Sequence, residues 1–107
     1  MILGKISNVK FGKCGYDNAG IGFVIEITCS DGIIFQETHC MYNFTYTQNR
    51  KSYAYAYQVA QAYNYLYILT LMQQAQCDVF EDLIGTPVEI LNPNTKEQSF
   101  RILTEVL

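Results

Sequence analysis

The chain has 107 residues, half of them apolar but only 16% charged, and a net charge of −3. That length supports one domain with one core, able to fold without disulfides or metal. The acidic balance argues against general nucleic-acid binding. Five cations against four acids in residues 1–51 still allow a local basic patch, whereas residues 52–107 carry two cations against six acids.

Lys5 to Phe11 reads as a first strand. Its apolar parity changes between Ile6 and Val9, which predicts a bulge near Ser7-Asn8. Gly12 to Gly20 is a glycine-rich loop. Ile21 to Cys29 alternates, with Ile21, Phe23, Ile25, Ile27 and Cys29 on one face, and predicts a strand. Asp31-Gly32 is a hairpin signal because both residue types tolerate positive φ. Ile33 to Cys40 is the return strand, with Glu37 and His39 following Ile33 and Phe35 on one side. Met41 to Lys51 is a polar and aromatic connection.

Ser52 to Cys77 follows, 26 residues with six tyrosines and no charge. It predicts one long helix, with Ser52 as N-cap and Arg50 and Lys51 just outside. On a helical wheel Tyr55, Val59, Ala62, Leu66 and Leu69 form a stripe suited to packing on a sheet. Tyr53, Tyr57, Ala60, Asn64, Tyr67 and Leu71 lie opposite. A surface helix ordinarily has a charged face, so the second apolar face is expected to meet a partner, be covered by residues 41–51, or form a twofold self-contact. Asp78 and Glu81 have the spacing of a capping box for a short helical turn closed by Gly85. Thr86 to Leu91 and Ser99 to Leu107 are the last strands, joined at Asn92-Pro93-Asn94. The final one is apolar on both sides, as in a sheet interior. The expected fold is α+β, a single domain over residues 1–107: five mainly antiparallel strands in the order β-β-β-α-β-β, the helix on one sheet face, and a short helical turn before strand 4.

Lys5 and Lys10 interrupt the N-terminal stretch and no apolar run follows, which argues against a secretory signal. The expected setting is cytoplasmic, and the Asn43-Phe44-Thr45 sequon carries no meaning there. A membrane span over 52–77 is disfavoured by Gln58, Gln61 and Asn64 at its middle. Cys14, Cys29, Cys40 and Cys77 contain no CxxC and read as reduced, mostly buried thiols, so neither metal nor cofactor is expected. His39 is the single histidine, with Glu37 on its own strand face and Cys40 on the other. No nucleophile spacing accompanies it, and no enzyme is expected.

Gly4-Lys5-Ile6, Val9-Lys10-Phe11-Gly12 and Gly15-Tyr16-Asp17-Asn18-Ala19 with Gly22 open the chain. Leu83-Ile84-Gly85-Thr86-Pro87-Val88-Glu89 and Arg101-Ile102-Leu103-Thr104-Glu105-Val106-Leu107 close it. These segments, about a third of the chain, resemble a family of short phage and prophage proteins. Cys14, Asp17, Asn18 and Phe100 depart from its pattern. The resemblance implies a phage-encoded accessory protein in a bacterial cytoplasm and supplies no activity.

The candidate partner-binding residues are therefore Tyr53, Tyr57, Asn64 and Tyr67 on the helix, and Tyr16, Asp17 and Asn18 in the first loop. The expected function is protein–protein binding, with itself as a homodimer or with a bacterial host protein such as a defence component. The alternative is an accessory nucleic-acid contact through Lys10, Lys13, Arg50 and Lys51 with nearby tyrosines.

Overall fold

The computed structural model describes residues 1–15, 18–43 and 51–107, the side chains of 43 and 51–57 excepted. It is an α+β fold. Strands β1 (Ile2–Cys14), β2 (Gly20–Cys29) and β3 (Ile34–Asn43) precede helix α1 (Lys51–Ala75); a 3-10 turn (Phe80–Leu83), β4 (Pro87–Leu91), β5 (Ser99–Ile102) and a second 3-10 turn (Thr104–Val106) follow. All strand pairs are antiparallel, in the order β3-β2-β1-β4-β5.

The alternation of β2 builds the core. Phe23, Ile25 and Ile27 are fully buried on the inner face, joined by Ile6, Val88 and Leu83. Burying each such side chain contributes roughly 1.5–3 kcal/mol. The bulge stands where the parity change put it: Ile6 pairs with Ile27 and Asn8 with Glu26, leaving Ser7 between them. At Asp31-Gly32 the chain turns with Gly32 at φ +88°, and the Asp31 carboxylate accepts the Ile33 N–H at 3.0 Å. Asn92 and Asn94 take positive φ at the β4–β5 turn.

β1 runs on through Cys14, so Gly12, Lys13 and Cys14, expected in the loop, are paired strand, and Ile21, expected on the core face, is exposed beyond the end of the core. The structure corrects four further expectations. The helix begins at Lys51, so Lys51 is helical rather than outside it, and it ends at Ala75. There Gln76 adopts φ +58° while Gln76 N–H donates to Gln73 O at 3.2 Å and Cys77 N–H to Met72 O at 3.0 Å. This is the paired-bond helix stop that glycine usually serves. Asp78 and Glu81 form no capping box. The turn starts after an extended Val79 with no side-chain cap bond, and only a short 3-10 turn follows. The last strand stops at Ile102 and lies at the sheet edge. Its apolar outlier Leu103 is buried beyond the strand end, where its N–H reaches Pro87 O at 3.0 Å.

The fourth correction concerns the helix faces, which are inverted. Tyr67, Ile68, Leu71, Met72 and Ala75 pack on the core, whereas Val59, Ala62, Leu66 and Leu69 are exposed. With no charge on either side, amphipathicity could not orient the helix.

Candidate contact surface on the helix

The second half of α1 is anchored over β2 and β3. Register places Phe23 opposite His39 and Ile25 opposite Glu37, so Glu37 and His39 share the inner face with Phe23. Their rings stack, Phe23 on His39, with centroids 4.7 Å apart. Tyr67 meets both edge-on, at 6.3 Å from Phe23 and 4.9 Å from His39. The Glu37 carboxylate accepts a hydrogen bond from the Tyr67 hydroxyl and lies 2.6 Å from His39 Nε2. Burial, and then Glu37, push the Tyr67 phenol above its ordinary value, so it stays a protonated donor. The cluster is a latch between helix and edge strand: a half-buried carboxylate in contact with the Tyr67 hydroxyl and the His39 ring. Among the described residues, no three His, Cys, Asp or Glu side chains converge as metal ligands.

Ahead of Tyr67 the described side chains of the helix are less buried. Among the residues with described side chains from 58 to 66, Ala60, Gln61 and Asn64 are half-buried and the others are exposed. Gln61 Nε2 donates to Met41 O at 3.4 Å. The outer stripe is apolar and wet: Val59 is 43% exposed, Tyr63 70%, Leu66 60% and Leu69 50%. Isolated exposed apolar residues are ordinary, whereas here four fall together on one helix face.

Of the sequence-predicted site residues, Tyr67 and Asn64 sit on the sheet side of the helix, Tyr67 inside the latch. Val59, Leu66 and Leu69, expected to pack on the sheet, instead lie exposed on the outer face together with Tyr63. Tyr16, Asp17, Arg50 and the side chains of Lys51, Tyr53 and Tyr57 lie outside the described residues. Asn18 is exposed, at φ +53°, its N–H on Gly15 O at 3.1 Å. Lys10 pairs with Val24 and Lys13 with Ile21, which have opposite parity on β2, so the two lysines leave β1 on opposite faces. β1 therefore does not assemble them into one basic patch.

On the outer sheet face a groove of about 560 Å³ is bounded by Leu3, Lys5, Thr28, Ser30 and Ile84. Lys5 is the single charged group among its lining residues, too few converging polar groups to define a chemistry. No helix among the described residues is long and apolar enough to cross a membrane. Comparison with protein-family models, curated proteins and solved structures gives no match to this chain.

Proposed function

We propose that this protein is a non-enzymatic contact module that binds another protein chain, in the first place a second copy of itself, through the outer stripe of α1. The carrying observation is that stripe: Val59, Ala62, Leu66 and Leu69 recur at alternating spacings of three and four, all exposed. That spacing is the seam by which two helices pack knobs into holes. Residues 52–77 hold no charge, so pairing two copies places no like charges in contact and desolvates no ion. Closed twofold contacts are also the commonest assembly. In the phage setting implied by the N- and C-terminal resemblance, such a module acts by inhibiting or redirecting a bacterial host protein, a defence component included.

Light scattering across about 10–100 µM tests the self-contact, a range set by the micromolar affinities of modest interfaces. The expected result is a dimer that becomes monomeric in Leu66→Glu/Leu69→Glu with the helical content unchanged. A wild-type monomer throughout that range overturns self-pairing.

A further inference from the structure

The outer face of the sheet carries a second construction, independent of the helix stripe. Gly20 and Gly22 both point there from β2. A Cβ on Gly20 would stand 2.6 Å from Cys40 Sγ and 2.5 Å from Tyr42 O. One on Gly22 would stand 2.8 Å from Cys14 Sγ, 2.9 Å from Cys40 Cα and 2.0 Å from His39 O. The two thiols thus occupy the room that side chains on β2 would fill, one from β1 and one from β3. In a flat sheet, cysteines on two strands that flank a third are separated by two strand spacings, about 9–10 Å, beyond disulfide reach. Here the ladders pair Cys14 with Gly20 and Cys40 with Gly22, a register shift falls between Ile21 and Gly22, and β3 backbone crowds the Gly22 position. The sulfur of one cysteine and the Cα of the other consequently flank a single point.

We propose that Cys14 and Cys40 form a dithiol site that closes to a disulfide by exchange with a small-molecule disulfide of the glutathione class. Cys40 is half-buried, its Sγ on Tyr42 O at 3.3 Å, whereas Cys14 is buried. Burial, and then the neighbouring Cys40, push the Cys14 thiol up to about 11. Cys40 is accordingly the attacking group and Cys14 the resolving one. The Cys40 thiolate attacks one sulfur of the oxidised reagent and expels a thiolate, which leaves as a thiol after taking up a proton. Cys14 then loses its proton, attacks Cys40 Sγ and expels the second small thiol. Two protein thiols are oxidised to one disulfide, and one small disulfide is reduced to two thiols. Cys29 is buried on the inner face and Cys77 packs against the core, so neither shares this site.

The test incubates the reduced full chain with oxidised glutathione, alkylates remaining thiols, and reads intact mass and peptide map. The expected product has lost two hydrogens, keeps two alkylatable thiols, and yields one cross-linked peptide joining Cys14 to Cys40. In Cys14→Ser the reaction stops at a glutathione adduct on Cys40, which the wild type passes through only transiently. A wild type that keeps all four thiols alkylatable, accumulates stable adducts, or links Cys29 or Cys77 instead overturns the proposal. The wild-type map decides the matter even if the variant fails to fold.

Discussion

Tyr67→Phe isolates the latch with the smallest possible change, one oxygen atom. The phenyl ring still meets Phe23 and His39 edge-on, so the apolar packing is kept. What is lost is the hydroxyl donor to Glu37, leaving His39 as the sole partner given to that carboxylate by the side-chain contacts described. A hydrogen bond to a charged group contributes about 1.5–3 kcal/mol, and removing one partner leaves the other partly unsatisfied. The Glu37 side chain is 17% exposed, so water reaches it in part. The lower end of the range applies, about 1.5–2 kcal/mol. For a domain of this size, that lowers Tm by roughly 6–12 °C. Urea and thermal unfolding followed by far-UV circular dichroism measure it. Adding Glu37→Gln completes a double-mutant cycle with an expected coupling of about 1 kcal/mol. A Tyr67→Phe cost below about 0.5 kcal/mol, within the range of ordinary surface substitutions, would refute the latch and leave the helix held by Leu71 and its neighbours alone.

Leu71→Ala and Leu66→Ala separate the two helix faces: the buried site should lose about 2–4 kcal/mol, the exposed one under about 0.5 kcal/mol. Leu66→Ala should instead weaken self-association in light scattering. Gln76→Gly should raise stability by about 0.5–1 kcal/mol in urea unfolding, because a left-handed non-glycine residue costs about 1–2 kcal/mol and glycine's extra chain entropy returns part of it. Alkaline titration of the reduced protein has a fixed sign. The Cys14 thiol rises from an ordinary 9.0 to about 11 and the Tyr67 phenol also rises, so the unfolded chain deprotonates first. The stability these groups contribute is complete below pH 9 and falls as pH climbs toward 11 and beyond. Cys14→Ser should remove the earlier part of that fall, and Tyr67→Phe the later part.

The strands were legible because each carries a period of its own. β2 alternates through Phe23, Ile25, Ile27 and Cys29, all buried, although Ile21 at its start is exposed, and the parity change in β1 placed the bulge at Ser7-Asn8, where Ser7 is the extra residue. The 3-10 turn before β4 was legible as an element, but its cap was not, because capping-box spacing carries no information on whether a full helical turn follows. The orientation of α1 was not legible for a different reason. A wheel reports a difference between faces, and Leu66 and Leu69 on one side weigh the same as Tyr67 and Leu71 on the other. Only Glu37 and His39 across the sheet choose between them, through contacts some thirty positions away in sequence. The cysteines were opaque likewise. Spacings of 15, 11 and 37 hide the approach of Cys14 and Cys40, which meet only across the two glycines of β2.

The strand order also sets a timetable. β1, β2 and β3 join through short connections and form a local meander, whereas the ladder from Ile2↔Ile90 to Lys5↔Pro87 must wait for the whole helix to be made. Local contacts form fast and chain-spanning ones late. Until β4 docks, the free side of β1 is an unpaired strand edge that any other unfinished copy can extend. Loss of the chain beyond residue 86 would therefore convert the centre of this sheet into its stickiest margin.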